Sequence, residues 1–231
     1  MTWQTTYRSF YYDTPGDPPE VCLPRGDTGL LVIDVQNFYL QDKTGVARNA
    51  EECREFVRWQ PFHRRMRSVV IPAIQRLLEV FRDNRQSIFF ARIACLSPNG
   101  ADRALSQRRP GFNNLLLPHH GPESQIISEL APRADEIVVC KTTDSALTGT
   151  NLRLTLSNMG IRHVVVAGIF TDQCVSSTVR SLADESFDVV VAEDGCAAGA
   201  DELHRKELEI INHIYCQVMS TEEILAVLGK E

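Results

Sequence analysis

Short apolar segments rich in β-branched residues alternate along the chain with segments whose apolar residues follow a helical spacing. This alternation is typical of a parallel sheet, in which each strand is joined to the next by a helical crossover. Right-handed crossovers then place helices on both faces of the sheet. The predicted strands are residues 29–34, 87–93, 136–141, a segment that starts at 164, 187–192 and 216–219.

The helical segments lie between these strands, and two further stretches lack periodicity. Because Pro72 is tolerated only in the first turn of a helix, the helix within 66–82 is expected to begin near Val70. Residues 41–62 are polar and irregular and are predicted to form a long loop, as are residues 96–120. The other predicted helices are 124–130, 150–159, 173–184, 201–214 and one that is capped by Ser220 or Thr221.

The composition is that of a globular protein with one sizeable core, since 43% of the 231 residues are hydrophobic and 23% are charged. Residues 29–231 are therefore predicted to form a single domain. Residues 1–28 mix aromatic residues with Pro and Gly without periodicity, which indicates an extended arm. Its aromatic side chains need cover, and the domain surface and a neighbouring subunit both fit that role.

Charge and hydropathy argue against two classes of partner. The net charge of −6 and the scattered basic residues disfavour nucleic-acid binding, which needs a basic face. No apolar run approaches the ~20 residues of a membrane helix, and the first residues lack the pattern of a secretory signal. We therefore expect a cytoplasmic protein without a membrane partner.

The cysteines and histidines do not form a metal-binding pattern. Seven widely spaced cysteines without a CxxC pair argue against a disulfide framework and against a zinc knuckle. His119 and His120 are adjacent in a predicted loop, but no further ligand follows them at a recognisable spacing. We predict no metal site and interpret these histidines as surface residues.

The stretch from residue 164 to residue 180 holds the most informative cysteine. A β-branched run passes Gly168, makes a short polar turn and places Cys174 where a helical pattern begins. In the first turn of a helix, unpaired backbone N–H groups and the helix dipole favour the thiolate, which is the nucleophilic form of cysteine. The alternative is a small buried apolar residue, and position alone does not decide between the two.

Charged residues stand at or next to the ends of three predicted strands: Asp34, Arg92 and Lys141. In an open parallel sheet the carboxyl ends of the strands share one edge, where ligands bind. Taken singly, Asp34 also fits a turn residue and Lys141 a solvated surface residue. Together with Cys174 they fit one crevice, in which a carboxylate takes a thiol proton and a lysine favours the anionic forms. This set predicts attack on a carbonyl with release of an amine.

Four ordered segments from Gly29 onward resemble the isochorismatase-like cysteine hydrolases: residues 31–38, 141–146 with 150–152, 168–175 and 193–198. The resemblance implies a doubly wound, Rossmann-like sheet of six mostly parallel strands, no cofactor, and a homo-oligomer, either a dimer or a tetramer. It also implies a catalytic triad of Asp34, Lys141 and Cys174 and a non-proline cis peptide bond at Ile169–Phe170.

The same edge of the sheet provides the predicted contacts with a substrate. The backbone N–H groups of Phe170 and Cys174 are predicted to form an oxyanion hole. Arg92 either pairs with a substrate carboxylate or forms a structural salt bridge. The predicted substrate-binding residues are Gln36, Asn37, Phe38, Arg92, Thr143 and Thr171.

Departures from the patterns of individual family branches narrow the predicted reaction. Nicotinamidases carry an Asp-x-His metal motif and further histidines after the first strand, whereas residues 41–100 contain only His63. True isochorismatases lack the nucleophilic cysteine. Cys174 therefore points to hydrolysis of a C–N bond in a small linear amide or ureide, as in the relatives that act on N-carbamoyl compounds, ureidoacrylate or biuret. The alternatives are hydrolysis of an isochorismate-like vinyl ether and a catalytically silent binding protein.

Overall fold

The computed structural model describes residues 6–13, 20–41 and 49–229. At its centre is a six-stranded sheet in which every pairing is parallel, so the predicted fold class is confirmed. The strands are β1 Thr28–Ile33, β2 Ser87–Ile93, β3 Ile137–Lys141, β4 His163–Ile169, β5 Asp188–Ala197 and β6 Gln217–Met219, and they lie in the order β3-β2-β1-β4-β5-β6.

The strand order reverses at the centre of this sheet. β1 pairs with β2 on one side and with β4 on the other, and the chain winds outward in both directions from there. At such a reversal the connections leave the sheet on opposite faces, which opens a crevice beyond the carboxyl ends of the two central strands. The fold therefore provides a site next to the ends of β1 and β4.

Helices cover both faces of the sheet. Because β1 is central, Leu30 and Val32 pack into one core and Leu31 and Ile33 into the other, which is why this strand is a continuous apolar run. The first core includes α3 and α8, and the second includes α5, α6 and α7. The helices are α1 Asn37–Leu40, α2 Ala50–Arg65, α3 Ile71–Asp83, α4 Leu105–Arg108, α5 Leu152–Asn158, α6 Ser176–Asp184, α7 Asp201–Ile211 and α8 Thr221–Leu228.

The prediction of a long loop over residues 41–62 is wrong for its second half, because α2 occupies residues 50–65. Asn49 and Glu52 form a reciprocal capping box that satisfies the first backbone N–H groups of this helix. The helix is polar and largely exposed, with Phe62 as its buried residue, so it lacks the apolar stripe that periodicity detects. Residues 42–48 lie outside the described residues.

The expected helix start near Val70 is also wrong. α2 continues through a π-helical turn, Met66–Val70, directly into α3, so Pro72 lies within a continuous helical segment. A proline ring crowds the carbonyl of the preceding turn and removes one N–H donor. The wider π turn just before it, in which the Ile71 N–H bonds to the Met66 carbonyl, accommodates both effects.

The helix predicted over 124–130 is replaced by two 3₁₀ turns, Pro122–Ser124 and Ser128–Leu130. The residues between them are extended, since Ile126 bridges to Gln36 and the Ile127 N–H donates to the Val35 carbonyl. These long-range bonds outcompete a local helix. Two element ends also differ from the prediction, since β5 runs on to Ala197 and α7 ends at Ile211. The predicted loop 96–120 contains the single helical turn α4.

Part of the N-terminal arm contacts the domain. The Asn212 amide donates to the carbonyls of Thr6 and Tyr7, just after the end of α7. Residues 1–5 and 14–19 of the arm lie outside the described residues, so cover by a neighbouring subunit stays a prediction. In the part of the chain that the structure describes, no helix is both long and apolar enough to cross a membrane.

Gly168 brings the two central strands together at their carboxyl ends. Its φ is +124°, and it pairs with Ile33 in the parallel register. A Cβ atom at this position would lie 2.6 Å from the Ile33 backbone nitrogen and would overlap the Ile33 carbonyl. Only glycine fits this approach, which sets the chain after β4 beside the chain after β1.

We expect Gly168→Ala to lower the free energy of unfolding by at least ~3 kcal/mol, because the added methyl group meets backbone that cannot move aside. Gly149→Ala is the matched control, since Gly149 also has a positive φ, +75°, but has open space around it. It should lose only ~1 kcal/mol, the cost of the left-handed backbone. Chemical denaturation of both variants measures the difference, and equal losses would contradict the steric argument.

Candidate active site

Three side chains that lie at or after the ends of three different strands meet at the carboxyl edge of the sheet. Asp34 follows β1, Lys141 is the last residue of β3, and Cys174 lies in a π-helical turn, Thr171–Val175, that follows β4. The Lys141 Nζ atom lies 2.7 Å from Asp34 Oδ2 and donates to Cys174 Sγ at 3.2 Å. All three side chains are buried. The three residues that the sequence singled out are thus in direct contact.

Lys141 reaches this point from a strand that does not neighbour β1. β2 lies between β1 and β3, and the long lysine side chain spans the end of β2. The third partner of the ammonium group is the Thr143 carbonyl, at 3.1 Å. Lys141 thus donates hydrogen bonds to Thr143 and Cys174 and forms an ion pair with Asp34.

Asp34 occupies a strained position that turns the chain out of β1. Its φ is +54°, in the left-handed region that aspartate tolerates better than most residues do. Its backbone N–H donates to the Ala91 carbonyl at 2.8 Å, which anchors the turn to β2. Such strain persists where the surrounding structure holds the residue, as the packed edge of the sheet does here.

Burial and charge act in opposite directions on the two charged groups. Burial raises the pKa of the Asp34 carboxyl, and the Lys141 ammonium opposes that rise. Burial lowers the pKa of Lys141, but Asp34 and Cys174 raise it by more, so its net shift is upward. Lys141 therefore stays protonated and serves as the counter-ion of this site.

Cys174 rests as a thiol, contrary to the expectation from its place near a helix start. Burial raises the pKa of the Cys174 thiol well above its usual value, Lys141 opposes the rise, and the carboxylates of Asp34 and Asp144 add to it. Cys174 also lies in the fourth position of the π turn rather than next to its capping residue, Phe170. A buried thiol of this kind needs a base within reach at the moment of attack.

Gln36 holds loops together and does not present its amide to a ligand. Its Nε2 atom donates to the carbonyls of Ile93 and Ser124 at 2.9 and 2.8 Å, and its Oε1 atom accepts from the Ile93 N–H at 2.9 Å. The residue is fully buried. The structure therefore favours a positioning role over the predicted substrate contact, because both amide donors are already used by the backbone.

Arg92 fits neither of the two roles considered for it. Its guanidinium donates to the His119 carbonyl at 3.0 Å and to Ser124 Oγ at 3.1 Å, and it faces the His119 ring. Its side chain is buried and ties the segment after α4 to β2, without a carboxylate partner among the contacts that the structure gives. His119 is correspondingly part of this packing and not a free surface residue.

Three further predicted substrate contacts are also engaged within the protein, two with backbone and one with a side chain. Thr143 Oγ1 donates to the carbonyls of two residues in its own turn, at 2.9 and 3.0 Å. Asn37 Nδ2 donates to the Pro122 carbonyl at 2.8 Å, and Thr171 Oγ1 pairs with His204 at 2.8 Å. For these side chains the structure favours positioning over direct contact. Phe38 is half-buried and packs edge-on against Tyr39, and its contact with substrate stays a prediction.

The turn between β4 and Cys174 has the backbone form that the family resemblance implied. The peptide bond between Ile169 and Phe170 is cis. The Phe170 carbonyl then accepts from the N–H groups of Gln173 and Val175, which closes the π turn around Cys174. An oxyanion hole made of the Phe170 and Cys174 N–H groups stays a prediction.

Three residues near the thiol, Asp144, Gln107 and Tyr39, were missed by the sequence reasoning. Asp144 Oδ1 lies 3.9 Å from Cys174 Sγ, and Gln107 Nε2 donates to the same oxygen at 2.9 Å. Burial raises the pKa of Tyr39, and the charges of Asp34, Cys174 and Asp144 raise it further, so its phenol faces the same site. Asp144 belongs to a segment already quoted for the resemblance, but its side chain carried no signal of its own.

Aromatic rings from distant segments surround Phe170. Tyr39 meets the Phe170 ring edge-on at 5.3 Å, Phe62 lies 5.1 Å away, and Phe112 lies 5.5 Å away. Trp59 stacks on Phe112 at 5.4 Å with an angle of 19° between the ring planes. Because Tyr39 also faces the charged residues, these rings form an apolar wall next to the polar site.

A buried histidine supports the turn from the other side. His204 Nε2 lies 2.9 Å from an Arg65 nitrogen, which can only donate, so the ring proton sits on Nδ1 and points to Thr171 Oγ1. Burial and the charge of Arg65 lower the pKa of His204 to about 3. Over the described ranges, no three His, Cys, Asp or Glu side chains are grouped so that they could hold a metal ion.

Comparisons with known proteins agree with this architecture. The sequence matches the isochorismatase domain over residues 28–223. YecD, an uncharacterized isochorismatase family protein of Escherichia coli O157:H7, is 32% identical over 207 residues, which are 87% of this chain and 96% of YecD. The ureidoacrylate amidohydrolase RutB of Acinetobacter baylyi is 27% identical over 220 residues, which are 90% of this chain and 86% of RutB.

A solved structure shows the same fold. The crystal structure of a cysteine hydrolase from Pseudomonas syringae pv. phaseolicola superposes with a TM-score of 0.74 at 21% identity, over 91% of this chain and 96% of that one. The chain belongs to the isochorismatase family of hydrolases, as its sequence segments predicted. The matched range includes Asp34, Lys141 and Cys174.

We expect Lys141→Met to lower the free energy of unfolding by ~3 kcal/mol or more, since Asp34 would lose its buried counter-ion. The double variant Asp34→Asn/Lys141→Met should lose clearly less than the sum of the two single variants, because both charges are then gone. Denaturant titration of the four proteins measures this coupling. Arg76→Met is the control, since its ion pair with Glu222 is exposed and its loss should change the stability little. Strictly additive losses at Asp34 and Lys141 would contradict the buried pair.

Proposed function

We propose that this protein is a cysteine-dependent amidohydrolase that cleaves a C–N bond of a small linear amide or ureide through a thioester and releases ammonia or an amine. The observation that carries the proposal is the contact of one lysine with both a carboxylate, at 2.7 Å, and a thiol, at 3.2 Å, at the edge of the sheet. The similarity to a ureidoacrylate amidohydrolase supports the ureide class. Cys174 would have no chemical role in the hydrolysis of a vinyl ether.

In the first half of the proposed reaction, Asp34 takes the Cys174 proton as the sulfur attacks the substrate carbonyl. The raised pKa of the Asp34 carboxyl makes it a stronger base than an exposed aspartate, and the thiol needs such a base because its own pKa is raised. Lys141 keeps its proton throughout and offsets the negative charge that moves between oxygen and sulfur. The backbone N–H groups of Phe170 and Cys174 receive the carbonyl oxygen as it becomes negative.

In the second half, the proton on Asp34 passes to the leaving nitrogen as the C–N bond breaks and ammonia or an amine departs. A water molecule then loses a proton to Asp34 and attacks the thioester carbonyl. The C–S bond breaks, the sulfur regains its proton from Asp34, and a carboxylic or carbamic acid leaves. Asp34 therefore gives and takes protons in turn, with no cofactor and no metal in the scheme.

Cys174→Ser should lower kcat/KM for ammonia release at least ~1,000-fold, because a serine hydroxyl is a far weaker acid than a thiol and Asp34 alone activates it poorly. Cys53→Ala, an exposed cysteine on α2, is the control and should keep the wild-type rate. Both variants are measured with a panel of primary amides and ureides after a thermal melt has shown that they are folded.

The same panel, extended by a vinyl ether, decides the class of reaction. Substantial ammonia release by both Cys174→Ser and Cys174→Ala would remove the nucleophile from the scheme. Activity on a vinyl ether alone, with no release of ammonia from any amide or ureide, would replace the proposed reaction by the isochorismatase reaction.

A further inference from the structure

A second carboxylate faces the reactive sulfur, and the proposed mechanism does not use it. Asp144 lies in the turn after β3, and its Oδ1 atom is 3.9 Å from Cys174 Sγ. The residue is partly exposed, unlike Asp34, which is fully buried against Lys141. Of the two carboxylates near the thiol, Asp144 is therefore the more exposed one.

The Asp144 carboxylate is held in place by a buried amide. Gln107 on α4 is 1% exposed and donates its Nε2–H to Asp144 Oδ1 at 2.9 Å. The Ala104 N–H, just before α4, donates to the Thr142 carbonyl at 2.9 Å, so backbone and side chain both join α4 to this turn. Arg103 adds a bond to the Gln107 carbonyl at 3.1 Å. The carboxylate is thus a fixed part of the site and not a mobile surface group.

Around Asp144 there are more hydrogen-bond acceptors than hydrogen-bond donors. Gln107 Oε1 is buried, and no donor reaches it among residues 6–13, 20–41 and 49–229. The partners that the structure gives to Asp144 are a neutral amide and a thiol, neither of which offsets its charge. A carboxylate with free lone pairs beside the sulfur is suited to a ligand that donates N–H groups.

The charge of the site also disfavours an anionic ligand. With Cys174 as a thiol, the carboxylates of Asp34 and Asp144 face the single ammonium group of Lys141, which leaves one negative charge around the sulfur. Lys141 is already engaged by Asp34, Thr143 and Cys174. Arg92, which was one candidate partner for a substrate carboxylate, donates to His119 and Ser124 instead.

We infer that Asp144, oriented by Gln107, selects substrates that carry a neutral or cationic N–H donor next to the scissile carbonyl, such as a second carboxamide or a ureide nitrogen, and rejects those that carry a carboxylate there. As a statement about substrates, the inference rests on the proposed function. Ureidoacrylate, the compound for which RutB is named, carries a carboxylate. The inferred ligand preference of this chain therefore differs from what the name of that relative implies.

Two alkylating reagents test the selectivity without knowledge of the substrate. Iodoacetamide and iodoacetate have nearly the same size, but iodoacetamide carries a neutral carboxamide and iodoacetate carries a charged carboxylate. With both reagents the thiolate sulfur forms a bond to the CH₂ carbon, iodide leaves, and the thiol proton goes to a base. Mass spectrometry of the tryptic peptides gives the rate at Cys174 and, in the same protein, at the exposed Cys53, which serves as the internal reference.

We expect the iodoacetamide-to-iodoacetate rate ratio at Cys174 to exceed the ratio at Cys53 at least ~10-fold, since a like charge a few ångströms away repels the carboxylate reagent. Asp144→Asn should bring the two ratios close together. This variant keeps a carbonyl oxygen that accepts from Gln107, and any change in the thiol pKa cancels from the ratio because both reagents need the same thiolate. Asp135→Asn, an exposed carboxylate ahead of β3, makes the same change in net charge and should leave the ratio unchanged.

Ammonia release from matched pairs, malonamide with malonamate and succinamide with succinamate, then tests selectivity in turnover. Wild type should favour each diamide at least ~10-fold in kcat/KM, and Asp144→Asn should narrow that preference. A Cys174 ratio equal to that of Cys53, or one unchanged in Asp144→Asn, overturns the inference whatever the amidase assay gives. An Asp144-dependent ratio without ammonia release from any amide or ureide would support the selectivity and reject the proposed function.

Discussion

The site depends on one buried ion pair, between Asp34 and Lys141, 2.7 Å apart at the carboxyl edge of the sheet. Removing two charges from water costs several kcal/mol per ion, and that cost is offset only by close pairing and by hydrogen bonds to the remaining donors. Lys141 meets this condition through Thr143 and Cys174. The pair therefore holds β1, β3 and the turn after β4 at fixed distances, and the thiol is placed as a consequence.

The backbone of the fold makes that pairing geometrically available. The strand order reverses between β1 and β4, so their carboxyl ends open onto one crevice. Gly168 lets β4 approach Ile33 more closely than any side chain would permit, and the chain then turns through Phe170 into the π turn that carries Cys174. Gln36 uses its amide to hold backbone, and Thr171 and His204 bond to each other, so these polar residues near the site act as positioning residues.

Charge and burial together decide the state of the nucleophile. A cysteine near a helix start is expected to be acidic, yet burial and two neighbouring carboxylates raise the pKa of the Cys174 thiol. A neutral resting thiol beside a carboxylate base suits a reaction in which proton transfer accompanies attack. The same surplus of negative charge governs which molecules approach the sulfur, so the protonation of the nucleophile and the selectivity for ligands have one electrostatic origin.

Sequence alone determined the parallel α/β fold, the strand ends at which Asp34 and Lys141 stand, and the family, because burial on both faces of a parallel sheet leaves continuous apolar runs and ordered polar turns in the chain. It did not reveal α2, whose polar, exposed surface has no apolar stripe, or the use of Arg92 and Gln36 in packing. Tertiary structure alone decided that Asp144, Gln107 and Tyr39 gather near the thiol and that aromatic rings from distant segments surround Phe170. The reason is physical: periodicity reports which face of an element is buried, whereas the partner of a polar side chain and the pKa of a thiol depend on distances between segments far apart in the sequence.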